Sequence, residues 1–320
     1  MATLNMVQAL NMALKEEMER DKSVVVLGED VGKDGGVFRV TDGLYGRFGP
    51  ERVVDTPLAE TGIVGAAIGM AVYGLKPVAE IQFMGFIYSV VEQLFSHAAR
   101  IRARSRGRFT CPIVVRTPYG AGVKALEHHS ESTEALFCQM PGVKVVVPSS
   151  PSNAKGLLIS AIRDPDPVVF LEPTRLYRLI KEEVPEADYT VPLGKARTVR
   201  QGKDVTVIAW GSMLHRTMQA VEGFDAEVID LMTLSPFDEE TVLQSAKRTG
   251  RVVIVHEAPS TGGLGAEISA TIAEHAMLHL KAPIVRVTGY DVVMPLPKLE
   301  DYYVPTIEKI RKGIETVMQY

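Results

Sequence analysis

The sequence predicts an α/β protein of two domains, each built on a mainly parallel sheet. Three observations predict it. Short apolar runs rich in valine and isoleucine recur along the chain, with helical pattern between them. The runs are apolar on both faces, as strands covered by helices must be. Midway, a polar, proline-containing stretch without periodicity, residues 181–189, interrupts the series before it resumes. A length of 320 residues is also large for one core and suits two.

The elements follow in order. MATLNMVQALNMALKEEMERD reads as an amphipathic helix. Residues 23–28 (SVVVLG) are the first strand candidate. Residues 76–83 (KPVAEIQF), 113–116 (IVVR), 143–148 (VKVVVP) and 167–172 (PVVFLE) follow, the last closing the first domain. Residues 181–189 read as a linker. The second series comprises 205–211, 226–231, 251–256 and 283–287, with short helices between them and a closing helix over 306–318.

Composition excludes several classes of function. Hydrophobic residues make up 46% and charged residues 23%, the balance of a globular protein. A net charge of -4 without a basic stripe argues against nucleic acid. The most apolar segment, residues 61–75, is broken by Gly62, Gly65, Gly69 and Gly74, so no membrane span is expected. The acidic first helix is not patterned like a transit or secretory leader. Cys111 and Cys138 are too few for a disulfide framework and read as reduced thiols. A cytoplasmic protein is expected.

Four motifs carry possible chemistry, each beside a plainer reading. Gly262-Gly263-Leu264-Gly265 lacks the G-x-G-x-x-G spacing and reads as a strand-to-helix turn. Residues 55–65 (DTPLAETGIVG) bring Glu60 through a proline turn to the start of a small-residue helix. Glycines there admit a second backbone or a flat ligand, although a carboxylate at a helix start also complements the dipole. Glu127-His128-His129-Ser130 is an exposed loop or a proton shuttle. The aromatics of residues 82–88 (QFMGFIY) are core, or one offers its face to a heterocycle.

Together, in this order and spacing, the motifs resemble a known family. They are VVVLGEDVG at 24–32, GVFRVTDGL at 36–44, and RVVDTPLAETGIVGAAIGMAVYGLKPVAEIQF at 52–83. HHSESTEALF at 128–137, KVVVPSSPSNAKGLLISAIRDPDPVVFLEP at 144–173 and GRVVIVHEAP at 250–259 complete the set. From Met6 onward the chain is similar to beta subunits of the two-chain thiamine-diphosphate-dependent decarboxylases of 2-oxo acid dehydrogenase complexes, in the transketolase-like family. The resemblance implies a pyrimidine-binding domain over 1–183 and a smaller transketolase-type α/β C-terminal domain over 184–320.

The resemblance also implies roles. It sets Glu60 against the pyrimidine nitrogen of thiamine diphosphate, sharing the proton that activates the cofactor, and Phe86 stacked on that ring. His129, in preference to His128, moves a proton during acyl transfer to a lipoyl-lysine arm. It implies a K⁺ held mainly by backbone carbonyls at Ile113, Ala161, Ile162, Asp164 and Asp166; an ordinary Asp-Pro turn is the alternative. The family's G-D-G motif is missing here, the closest run being Lys33-Asp34-Gly35-Gly36. Diphosphate and Mg²⁺, which needs hard oxygen ligands, are therefore expected on a separate alpha chain. The implied assembly is a heterotetramer of two alpha and two beta chains, active only together, with a lipoyl acyltransferase component as further partner. The substrate is a 2-oxo acid, branched-chain favoured over pyruvate. The alternatives are an acetoin dehydrogenase beta subunit and a catalytically silent structural subunit.

Overall fold

The computed structural model describes residues 1–320. Its strands are β1 (Ala2–Leu4), β2 (Val24–Gly28), β3 (Val53–Asp55), β4 (Lys76–Glu80), β5 (Val114–Tyr119), β6 (Lys144–Val146) and β7 (Val168–Pro173). They continue as β8 (Glu182–Val184), β9 (Arg197–Arg200), β10 (Val205–Ala209), β11 (Ala226–Asp230), β12 (Thr233–Ser235), β13 (Val252–Pro259) and β14 (Val285–Gly289). A seven-stranded sheet runs β12-β6-β7-β5-β4-β2-β3, parallel except for β12. A five-stranded sheet runs β14-β13-β10-β11-β9, parallel except for β9. Every residue of β2, β5, β7, β10 and β11 is buried, which is why these segments read as largely apolar runs.

Local chemistry sets the helix ends. The first helix is Met6–Arg20 and does not include the leading residues, because Asn5 and Gln8 close a reciprocal capping box. A second such box, Ser150 with Asn153, starts helix Pro151–Arg163 with proline at its first turn. Thr306 caps Ile307–Met318, so the predicted closing helix starts one residue late.

The structure departs from the sequence expectation at the sheet edges. Residues 181–189 are not a free linker: β8 pairs antiparallel with β1 from the chain start. β7 is not the last strand of the first sheet, since β12 from the C-terminal half extends it. One apolar cluster accordingly spans both sheets, from Val145 and Val169 to Ile208, Trp210 and Leu234.

At the centre of the larger sheet, the buried Arg116 guanidinium forks onto Glu172 at 2.7 and 2.8 Å and also pairs with Glu80. Tyr177 donates to the same Glu172 at 2.6 Å. Breaking a buried pair of this kind costs about 3–5 kcal/mol, so the cluster fixes β4, β5 and β7 relative to one another. That matters because the loops leaving β4 and β5 carry the candidate site.

Candidate active site

In an open parallel sheet, ligands bind beyond the carboxyl ends of the strands where the chain reverses its direction of growth. Here the reversal lies between β2 and β4: the chain goes from β2 out to β3, then returns to β4 on the other side. Glu29 and Asp30 follow β2, Glu60 opens the helix after β3, Gln82 to Phe86 follow β4, and His128 and His129 follow β5. The three residues assigned from the sequence to catalysis and cofactor binding thus all follow the carboxyl ends of strands of one sheet.

Glu60 is the first residue of helix Glu60–Val72 and is half-buried. Thr61 donates to the Ser89 carbonyl at 2.7 Å, tying that helix start to the aromatic segment. A Cβ added at Gly62 would touch only Ala59, at 3.7 Å, and one at Gly69 would meet nothing. The helix therefore leaves room on its open side for a flat ring or a second backbone.

The imidazoles and phenyl rings form one group. Phe83 meets His129 edge-on with centroids 4.0 Å apart, and Phe86 lies 5.7 Å from His129 and 5.5 Å from His128. Gly85 is obligatory here, because a Cβ on it would collide with the His128 backbone. The two histidines differ in setting. His128 faces the Glu127 carboxylate at 3.8 Å, while the His129 Nδ1 is buried without a partner. Burial, and then the neighbouring His128, lower the His129 pKa.

Sequence reasoning missed Glu29. Burial, with the charges of Asp30 and Glu60 adding to it, raises its pKa, so a second carboxyl faces Glu60 across the strand ends. Asp55 holds the loop that follows, accepting from the backbone N–H of Gly32 at 2.6 Å and of Lys33 at 3.2 Å. The available signal was positional: Glu29 directly follows a buried strand.

The five K⁺ candidates lie apart from this group. Cys111 donates to the Pro165 carbonyl at 3.1 Å and Val168 to that of Ile113 at 3.0 Å, laying the two segments side by side. Ala161 and Ile162 lie in the last turn of helix Pro151–Arg163, at its negative pole, where the Ala161 carbonyl also accepts from the Asp164 N–H at 3.3 Å. Both Asp164 oxygens are already held by the Lys144 ammonium at 2.7 Å, and Asp166 pairs with Arg102 at 2.7 Å. What remains for a cation is neutral carbonyl oxygen, a set that fits a weakly charged ion such as K⁺. No group of three or more His, Cys, Asp or Glu side chains is arranged to hold a metal.

The glycines at 262–265 have the structural use expected of them. They turn the chain from β13 into helix Leu264–Ala276, and Gly263 and Gly265 leave space for the buried His256 ring.

Comparison with known proteins extends this picture. The description "Transketolase, pyrimidine binding domain" matches residues 2–180, and "Transketolase, C-terminal domain" matches residues 194–310. A pyruvate dehydrogenase E1 component subunit beta from Acholeplasma laidlawii is 54% identical, covering 97% of this chain and 96% of that one. The 2-oxoisovalerate dehydrogenase subunit beta of Bacillus subtilis (strain 168) is 48% identical over 100% of both chains. The pyruvate dehydrogenase E1 component subunit beta of the same organism is 47% identical, again over 100% of both. A solved structure described as a split gene transketolase, inactive beta4 tetramer, matches in fold with a TM-score of 0.81 over 99% of each chain at 24% identity.

Proposed function

The chain belongs to the E1 beta subunits of the 2-oxo acid dehydrogenases, within the transketolase fold, and from that premise we propose that it supplies the pyrimidine half of a thiamine diphosphate site completed by an alpha chain. The observation that carries the reading is the convergence of Glu60, Phe86 and His129 at the reversal point of the larger sheet. The open Gly62 side of the helix and the half-buried Phe86 ring suit a flat heterocycle. Thiamine diphosphate held there would supply the electron sink for decarboxylation.

The chain's own residues supply the rest. Glu60 holds a proton toward the ring nitrogen, with Glu29 as the adjoining carboxyl. Phe86 positions the ring and, with Phe83, limits water around His129. His129 carries a proton for transfer of the acyl group to a lipoyl arm. Mg²⁺ and the diphosphate fall to the alpha chain, in a heterotetramer that docks a lipoyl acyltransferase. K⁺ would be held by the carbonyls of Ile113, Ala161 and Ile162, with Asp164 and Asp166. A reducing cytoplasm suits the free Cys111 and Cys138.

The leaning toward branched-chain acids goes no further, because relatives named for pyruvate and for 2-oxoisovalerate stand at 54% and 48%. Both acids are arms of the test. The chain is reconstituted with an alpha subunit bearing G-D-G, in K⁺ buffer, and decarboxylation is followed with an artificial electron acceptor. Turnover of at least one acid by the pair and by neither chain alone is expected, as is a fall in melting temperature when choline replaces K⁺. Turnover by this chain alone would contradict the assembly, and an unchanged melting temperature would contradict the K⁺ site.

A further inference from the structure

Behind the histidine loop lies a buried acidic cluster that the chemistry above does not use. Glu134 opens the short helix Glu134–Cys138, five positions after His129, and is fully buried. Neither of its carboxyl oxygens makes a hydrogen bond of good geometry, although Tyr119 and Trp210 lie beside them. Its polar neighbours are Tyr119 at the end of β5 and, from the second half of the chain, Trp210 and Glu257. Glu257 is buried as well, but it is well supplied with donors. It accepts from the Ala121 N–H at 2.9 Å and from the Ser212 hydroxyl, and so bridges the two sheets.

These contacts decide where the charge sits. Two buried carboxyls facing one another do not both ionise readily. A fully buried carboxyl without a well-formed hydrogen bond favours its protonated form. Every other titratable group around Glu134 is an acid: Tyr119 from β5, Cys138 from its own helix and Tyr303 from the C-terminal half. No cation hydrogen-bonds to it. The loop between the histidines and Glu134 is meanwhile tied down at Glu131, whose carbonyl accepts from Gly120 at 3.0 Å and whose carboxylate accepts from Tyr88 at 2.6 Å.

We propose that Glu134 is a positioning residue: an uncharged carboxyl wedged between the two sheets, it seats the loop that carries His128 and His129. Ionising it beside Glu257 loosens that seat. Burial, reinforced by the Glu257 charge and opposed by its own backbone N–H, Tyr119 and Trp210, raises the Glu134 pKa to about 7, so the loss falls near neutrality. The proposal rests on the assignment of the histidine loop to acyl transfer.

The test uses Trp210, the only tryptophan of the chain, which lies against Glu134. Its emission is followed in the full chain from pH 5.5 to 8.5. A transition centred near pH 7 is expected in the wild type and none in Glu134→Gln. His256, stacked on Trp210 at 5.2 Å, titrates at about 4, below this window. The sign of the stability effect follows. An acid with a raised folded pKa contributes most below its unfolded value and loses that contribution as pH rises through the folded one. The melting temperature of Glu134→Gln should therefore gain on the wild type between pH 5 and pH 8. No transition in the wild type, or the same transition in the variant, overturns the assignment, and neither readout involves the reaction. In the reconstituted enzyme, Glu134→Gln should acylate the lipoyl domain within a few-fold of wild type at pH 6.5 and lose less rate by pH 8. Equal alkaline loss in both, with the fluorescence transition intact, overturns the link to the histidine loop alone.

Discussion

Glu60→Gln is expected to lower decarboxylation by the reconstituted enzyme by roughly a hundred- to ten-thousand-fold, the range for removal of a positioned acid–base group. The amide keeps the size and the helix start but cannot pass a proton to a ring nitrogen. The plainer reading predicts something different. If Glu60 only complements the dipole of helix Glu60–Val72, its loss costs about 0.3–1 kcal/mol of stability and leaves turnover intact. Glu29 faces the same space and remains in the variant. Activity within a few-fold of wild type, in an assay with an artificial acceptor, would therefore remove Glu60 from the assigned chemistry. Unchanged circular dichroism excludes unfolding as the cause of a loss.

His129→Ala is expected to separate two steps. Loss of CO₂ depends on the cofactor and Glu60, whereas transfer of the acyl group to the lipoyl disulfide needs a proton at the departing sulfur. General acid help of that kind is worth roughly a hundred- to ten-thousand-fold. Acylated lipoyl domain should thus form far more slowly in a single turnover, while CO₂ release falls less. The structure adds a pH sign. Burial and His128 lower the His129 pKa, so the protonated ring is scarcer near neutrality than free imidazole. Wild-type acylation should rise as pH falls from 7.5 toward 6. His128, beside Glu127 and half-exposed, should tolerate alanine with mild effects on both steps. A larger acylation defect in His128→Ala would exchange the two assignments. Equal slowing of both steps in His129→Ala would make it an organiser of the pocket through its 4.0 Å contact with Phe83.

The parts of the fold that were legible share a physical cause. β2, β5, β7, β10 and β11 are buried on both faces, and burial on both faces writes a largely apolar run into the sequence, broken only by residues such as Arg116 and Glu172 that find buried partners. β1, β3, β8, β9 and β12 have three or four residues, too few to show alternation, and their pairing depends on distant partners. Residues 181–189 looked like a linker for that reason, since only pairing with the distant Ala2–Leu4 reveals β8. Glu60 was legible because a proline turn and a glycine-rich helix isolate it. The histidine pair was legible as a pair, but the two settings differ only in three dimensions. Glu29 left only a positional signal, after a buried strand, and neither it nor Glu134 shows its environment locally, because that environment is made by Glu60, Glu257 and Trp210 from elsewhere in the chain.

The central claim is that this chain holds one end of a cofactor whose other end is held by a different polypeptide. Calorimetric titration of thiamine diphosphate with Mg²⁺ measures it directly, first into the isolated chain and then into the chain paired with a G-D-G alpha subunit. Weak or undetectable heat alone, followed by saturable binding at one cofactor per alpha–beta pair, is the expected result. Tight one-to-one binding to the isolated chain would contradict the account.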